Sequence, residues 1–135
     1  MASGLEQLVW ERARSRCEYC QIPAAQMQQT LTLDHIIALQ HHGVTVASNL
    51  ALACFPCNRQ KGPNLAGIDP VSGKLTPLYH PRRDLWKRHF RWQGPRVAAK
   101  TAVGRVTLYV LDINHPLRVS LRRSLIEEGA FPPTG

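Results

Sequence analysis

Four cysteines and a few polar residues between them are the part of the sequence best suited to chemistry. The cysteines form two Cys-x-x-Cys pairs, Cys17 with Cys20 and Cys54 with Cys57. Each pair can present two sulfurs from one tight turn, so four thiolates can bind one tetrahedral Zn²⁺. The gap between the pairs, residues 21 to 53, holds 33 residues, which exceeds the spacing of a zinc ribbon. We therefore predict a structural zinc site whose two cysteine pairs flank a second functional feature.

The enclosed feature is a set of polar side chains. Asp34 and His35 lie in the gap, Asn49 follows, and Asn58 comes directly after the last cysteine. A neutral imidazole can accept a proton from water near pH 7, and carboxylate and amide oxygens can bind a divalent cation. Taken singly, each residue has an ordinary explanation as a packed histidine, a turn former or a helix cap. Their joint placement favours a metal-dependent catalytic site.

The order of these residues resembles that of the HNH endonuclease family, whose pattern runs C-x-x-C, D-H-I, N-L and C-x-x-C-N-x-x-K-G. The matching residues are Cys17, Cys20, Asp34, His35, Ile36, Asn49, Leu50, Cys54, Cys57, Asn58, Lys61 and Gly62. The resemblance implies an α+β fold, with a ββα-metal nuclease core stapled by the four-cysteine zinc site and a small C-terminal hairpin and helices. It also implies cleavage of a nucleic-acid phosphodiester.

The resemblance also implies a role for each polar residue. His35 is the expected general base, and Asn49 is expected to orient the loop that carries it. Asp34 and Asn58 are the expected ligands of a catalytic divalent metal. Asn58 stands where the classical motif has histidine, and an amide oxygen is a harder ligand than imidazole. We therefore expect Mg²⁺ or Mn²⁺ at this position, beside the structural Zn²⁺ on the cysteines.

Length and charge limit the other possibilities. A chain of 135 residues is one domain by length, which we divide into a nuclease core at about 14–66 and a basic extension at about 67–135. The formal net charge is +8, and about +6 remains if four thiolates hold one Zn²⁺. A basic surface favours a polyanionic partner, although many basic proteins bind nothing specific.

The basic residues of segment 82–105 are interleaved with Trp86, Phe90 and Trp92. That mixture suits a groove for a nucleic-acid backbone, although the aromatic side chains could instead be core. The expected contacts are Arg59, Lys61, Arg82, Arg83, Lys87, Arg88 and Arg91. The expected partner is DNA, either duplex or nicked and single-stranded, with RNA not excluded and with little sequence specificity. Because one centre cuts one strand at a time, we expect nicking by a monomer or weak dimer.

No signal peptide is predicted, because residues 1 to 16 lack an apolar segment and carry charges throughout. No run approaches 18 apolar residues either, so we expect no membrane association. A cytoplasmic location follows from these observations. In that compartment paired cysteines are more often metal ligands than disulfides.

Local patterns predict the elements of the first half. Ser3 and Glu6 form a capping box that begins a helix. Residues 30–33 alternate as a strand, with Asp34 and His35 at its end, where the family fold turns. A helical turn is predicted at 49–53 and a short helix at 57–61.

The second half is predicted to contain a hairpin and two helices. The hairpin pairs residues 90–92 with 96–98. The apolar pattern of residues 101–111 fits either a helix or a strand, and the family resemblance favours a helix. A final helix is expected to begin at an Asn114 cap, with Leu117, Leu121 and Leu125 on one face and Arg118, Arg122 and Arg123 on another. His41 and His42 are interpreted as solvated loop residues.

Three functions remain open at this point. The first is a metal-dependent HNH nuclease acting on DNA. The second is a non-catalytic zinc-stapled nucleic-acid-binding module. The third is a structural protein-interaction domain, which the excess of arginine over acid does little to support. The presence of Asp34, His35, Asn49 and Asn58 together favours the enzyme, since a pure binding module needs none of them.

Overall fold

The computed structural model describes residues 3–133. The first half contains a helix, a β-hairpin and a second helix. They are α1 (Gly4–Arg12), β1 (Thr32–His35), β2 (Leu50–Ala53) and α2 (Phe55–Lys61). Short 3₁₀ turns at Ala24–Gln26, Leu39–His41 and Ala47–Asn49 lie in the connections. This order gives the expected ββα arrangement.

The second half adds two more hairpins and three helices. They are β3 (Ala66–Ile68), β4 (Leu75–Pro77), α3 (Trp86–His89), β5 (Phe90–Gln93), β6 (Arg96–Ala99), α4 (Ala102–Val110) and α5 (Pro116–Glu127). Each sheet has two antiparallel strands, β1 with β2, β3 with β4 and β5 with β6. The α+β class is therefore confirmed. Within residues 3–133, no helix combines the length and apolar character needed to cross a membrane.

The first hairpin differs from the prediction at both strands. Strand β1 includes Asp34 and His35, which pair with Ala51 and Leu50 in regular register, so the chain bends only at residues 36–37. The predicted helical turn at 49–53 is wrong, because Leu50–Ala53 form a wholly buried strand. A short apolar run of this length is ambiguous from sequence alone, and pairing with β1 decides its conformation.

The predicted helix starts are mostly confirmed. Ser3 Oγ accepts a hydrogen bond from Glu6 N at the start of α1, and Thr101 Oγ1 accepts one from Gly104 N at the start of α4. The cap of α5 is His115 rather than Asn114. Proline at the next position suits a helix start. Asn114 instead bonds both the backbone nitrogen and oxygen of Val97, which ties α5 to the β5–β6 hairpin.

The predicted orientation of α5 is wrong. Leu117 is 75 % exposed, while Val119, Arg122 and Leu125 are buried. Arg122 can be buried because its guanidinium donates to Pro95 O at 2.6 Å and to Ile113 O at 2.8 Å. A buried charge needs such partners. The helix therefore turns an arginine towards the protein interior, where the leucine pattern predicted a plain apolar face.

The aromatic residues of segment 82–105 pack in or against the core rather than forming an exposed groove. Trp86 packs on Trp92 with ring centroids 4.9 Å apart, and Phe90 is buried. The Trp86 indole also donates to Tyr19 O at 2.8 Å. Tyr19 lies between the first two cysteines, so this contact fastens the extension to the zinc-binding turn.

Candidate metal centre and active site

The four cysteines converge as predicted. All four are buried, and their sulfurs lie within 4.8 Å of one another. The Cys20 and Cys54 sulfurs are 3.7 Å apart, close to the edge of about 3.8 Å that a tetrahedron with Zn–S bonds of about 2.3 Å requires. Burial raises the pKa of Cys17 and of Cys57, so four buried thiolates need a cation. The cluster fits a structural zinc.

A residue that the sequence did not predict completes this centre. Arg118 of α5 donates to Cys57 Sγ at 2.9 Å and lies 4.0 Å from Cys54 Sγ. Its other terminal nitrogen donates to Leu111 O at 2.7 Å. Burial acts to lower the Arg118 pKa, but the negative thiolates outweigh it and raise the pKa. The guanidinium thus offsets part of the charge of −2 that a Zn(Cys)₄ centre carries.

Asp34, His35 and Asn58 line one open depression of about 390 Å³ between β1 and α2. The carboxylate and imidazole come from adjacent positions of the strand, and the amide comes from the helix. The Asn58 Nδ2 donates to Thr32 Oγ1 at 3.3 Å, which leaves its Oδ1 as the atom suited to a cation. The structure therefore brings together the three residues expected to bind metal and water.

His35 is half-buried, and its Nε2 lies 2.9 Å from Thr45 Oγ1. Thr45 was not predicted from the sequence, since nothing in its local pattern marks it. If Nε2 donates to this hydroxyl, Nδ1 is the ring atom that remains able to accept a proton. A threonine hydroxyl can donate or accept, so the contact restrains the ring in either tautomer.

Asn49 spans the loop that follows His35. Its Oδ1 accepts from Ile37 N at 2.8 Å, while its Nδ2 donates to Ile37 O at 3.0 Å and to Val44 O at 2.9 Å. Gly43 lies in the same loop, and a Cβ there would sit 1.7 Å from Ile37 O. The loop is thus closed by one buried amide and by a close backbone approach that only glycine allows.

Asp34 is more enclosed than a free metal ligand would be. Its side chain is 5 % exposed, Tyr19 donates to it at 2.8 Å, and the Lys61 ammonium lies 3.2 Å from Oδ2. Burial raises the Asp34 pKa, while Lys61 and Tyr19 oppose that effect. Strand alternation explains the position, since Asp34 faces the covered side of β1 and His35 faces the open side.

Lys61 is buried as well, at 2 % exposure. Besides Asp34, its ammonium donates to the His35 and Ile36 carbonyl oxygens, both at 3.2 Å. The position predicted for a phosphate contact thus holds a cation that points inward and fixes the end of β1.

The remaining predicted nucleic-acid contacts divide into two groups. Arg82 is enclosed and paired with Glu18. The exposed residues are Arg59, Arg83, Lys87, Arg88 and Arg91. The Arg59 guanidinium lies over the Phe55 ring, 6.0 Å from its centroid. Five of the seven predicted cations therefore face solvent, and Lys61 and Arg82 do not.

Comparisons with known proteins identify the same region. Residues 17–64 match the family model described as HNH endonuclease. The chain is also 26 % identical over 148 aligned positions to Septu protein PtuA from Bacillus mycoides (strain KBAB4), an alignment that covers 92 % of this chain and 21 % of the relative. The chain thus spans about a fifth of the length of that curated relative. No solved structure matches significantly.

Proposed function

Residues 17–64 form an HNH endonuclease domain, and on that premise we propose that the protein is a metal-dependent endonuclease that hydrolyses phosphodiester bonds in DNA. The observation that carries the proposal is the shared depression lined by Asp34, His35 and Asn58. This lining supports the proposal, because it includes a candidate base and two candidate oxygen ligands. The exposed cations Arg59, Arg83, Lys87, Arg88 and Arg91 supply phosphate contacts for the nucleic-acid substrate.

His35 acts as the general base in this proposal. When Nε2 donates to Thr45, Nδ1 is able to accept a proton from the attacking water, which is the step that a general base performs. Asn49 keeps the following loop closed through its three hydrogen bonds. Asn49 and Thr45 are positioning residues, since both act through the histidine.

Asp34 and Asn58 hold the divalent metal, with Mg²⁺ or Mn²⁺ favoured by their oxygen donors. When bound, the metal neutralises phosphate charge and stabilises the departing oxygen. Asp34 contributes an oxygen while it still accepts from Tyr19 and Lys61, since an ionised carboxylate has about four acceptor positions. The structural Zn²⁺ on the cysteines takes no part in this chemistry.

We extend the proposal to the organisation of the whole chain. Residues 1–135 act as one domain, with the core at about 14–66 and the extension at about 67–135. The alignment with Septu protein PtuA supports this because it runs through both parts. The four cysteines are free and clustered rather than disulfide-bonded, which supports a cytoplasmic location. One depression can cut one strand at a time, so the proposal is a monomer or weak dimer that nicks DNA with little sequence specificity.

One observation favours a second candidate, the non-catalytic nucleic-acid-binding module. The Asp34 carboxylate already has two donors and little exposure. If these contacts are permanent, the depression lacks a charged ligand and the protein binds without cutting. Both candidates share the zinc centre and the basic surface, so only cleavage separates them.

A plasmid-relaxation assay with Mg²⁺ and Mn²⁺ titration tests the proposal. His35→Ala should lose cleavage by roughly 10²- to 10⁴-fold, the typical contribution of a general base, and should keep wild-type zinc content and DNA affinity. His41→Ala is the matched control, because it removes an exposed histidine of the neighbouring loop, and it should cut like the wild type. Wild-type cleavage by His35→Ala would refute the mechanism. DNA binding without cleavage by the unmodified protein would establish the second candidate.

A further inference from the structure

A pocket of about 200 Å³ includes Arg12, Arg14, Arg16 and Glu18 in its lining. Its volume equals that of roughly six waters, enough for a phosphate group. The pocket shares none of its lining residues with the depression that holds His35. Three arginines and one acidic residue therefore line the same space.

Another arginine, Arg82, contacts the carboxylate of Glu18. Arg82 is paired with Glu18 Oε1, while Glu18 Oε2 accepts from Leu52 N at 2.8 Å. Glu18 is thus committed to one arginine and one backbone amide. Arg14 lines the pocket and is exposed to solvent.

The protein does not satisfy the enclosed arginines fully. Within residues 3–133, the buried Nε atoms of Arg12 and Arg82 have no hydrogen-bond partner. Burial and, to a smaller extent, the nearby Arg12 charge together lower the Arg82 pKa to about 10. Partly buried like charges repel one another, and an anion held between them removes that repulsion.

We propose that this arginine pocket is a second phosphate-binding site, separate from the catalytic depression. Guanidinium groups are suited to phosphate because their donors form a planar fork that matches its oxygens. The ligand is a phosphate group, either of a nucleic-acid strand or of a free phosphate compound.

The position of the pocket favours a nucleic-acid strand. Arg12 donates to Ala47 O at 3.0 Å and to Leu50 O at 2.8 Å, on either side of Asn49. Leu50 is the cross-strand partner of His35, so the guanidinium lies within roughly 11 Å of the His35 Cα. Phosphates recur every 3.4 Å along the axis of one strand, so the pocket is a few nucleotides from the scissile position. This part of the inference rests on the proposed nuclease function.

The test for the site itself is a titration of the zinc-containing protein with inorganic phosphate, followed by backbone amide chemical shifts. Saturable shifts should concentrate at residues 12–18 and at Arg82. Arg14→Gln should weaken phosphate binding by several-fold, and Glu18→Gln should strengthen it because a competing carboxylate is removed. The matched control Arg123→Gln removes an exposed arginine of α5 and should change nothing. Absence of shifts at residues 12–18, or equal losses in Arg14→Gln and Arg123→Gln, would overturn the site.

The source of the phosphate is decided by the salt dependence of binding to a labelled single-stranded oligonucleotide without divalent metal. If the pocket holds a strand phosphate, Arg14→Gln should reduce the slope of log affinity against log salt by about 0.7, and Arg123→Gln should leave it unchanged. Phosphate binding with identical slopes in both variants assigns the pocket to a free phosphate compound. If the protein binds the oligonucleotide through this pocket but cleaves no DNA, the second phosphate-binding site is supported and the nuclease proposal is refuted.

Discussion

Lys61 could act as a surface phosphate contact or as the buried partner of Asp34, and the motif alone does not distinguish these roles. The replacement Lys61→Met separates them. Removing the ammonium leaves Asp34 charged and buried, and it leaves two carbonyl oxygens without the donor they have in the structure. Removal of one member of a buried ion pair typically costs about 3–5 kcal/mol. For a chain of this size that loss lowers the melting temperature by roughly 10–20 °C. A surface phosphate contact would show almost no such loss.

Thermal unfolding and DNA affinity, measured on the same zinc-containing samples, provide the assay. Lys87→Met is the matched control, because Lys87 is exposed on α3. It should change stability by no more than about 0.5 kcal/mol and should weaken DNA binding. The double variant Lys61→Met with Asp34→Asn should recover most of the stability, since no unpaired buried charge remains. Wild-type stability in Lys61→Met together with weaker DNA binding would refute the buried role.

The pH dependence of the Lys61→Met defect has a definite sign. Burial already raises the Asp34 pKa, and Lys61 is the strongest opposing influence, so the variant should raise that pKa further. A carboxyl with a higher pKa in the folded state binds more protons there than in the unfolded chain. Folding of the variant is therefore favoured as pH falls through that raised pKa. The gap in unfolding free energy between wild type and variant should shrink on acidification, and a gap that grows would contradict the assignment.

Two further predictions concern the extension. Arg118→Met should release zinc to a competing chelator about 10-fold faster or more, because a residue that contacts the metal ligands is lost. The control Arg123→Met should match the wild type. Equal release rates in the two variants would contradict a role for Arg118 at the zinc centre. Arg105 bonds both oxygens of Asp69, at 2.9 Å each, and holds the Asp69 pKa well below its usual value. The difference in unfolding free energy between wild type and Asp69→Asn should thus be constant above about pH 5 and should shrink only as pH falls below about 4, towards the folded pKa. A difference that disappears near neutral pH would contradict this.

The sequence predicted the parts of the structure that depend on local pattern. Cysteine spacing predicted the convergence of the four sulfurs, and turn chemistry predicted the β5–β6 hairpin to within a residue. The strand Leu50–Ala53 was missed because four alternating leucines and alanines suit a helix or a strand equally. Only its pairing with β1, which starts 18 residues earlier, decides between them.

The contacts of buried charged residues that the sequence missed join residues distant along the chain. Arg118 meets Cys57 across 61 residues, and Lys61 meets Asp34 across 27. Charged side chains are usually exposed, so a charged residue on a helix is naturally interpreted as surface. Burial of such a side chain depends on a partner that local sequence does not reveal. The depression itself was predicted because its members lie within one motif.

Because several basic side chains are paired inside the protein, the formal net charge overstates the positive charge that is available for nucleic-acid binding. The formal value of +8 comes from 17 basic and 9 acidic residues. Within residues 3–133, at least seven of the basic side chains bond carboxylates, thiolates or carbonyl oxygens, namely Arg12, Lys61, Arg82, Lys100, Arg105, Arg118 and Arg122. Two of these fix the extension to the core, since Arg82 reaches the first cysteine turn and Arg118 reaches the second. The number of phosphates that the protein neutralises should therefore follow its exposed cations and the arginine pocket, and it should be smaller than the composition suggests.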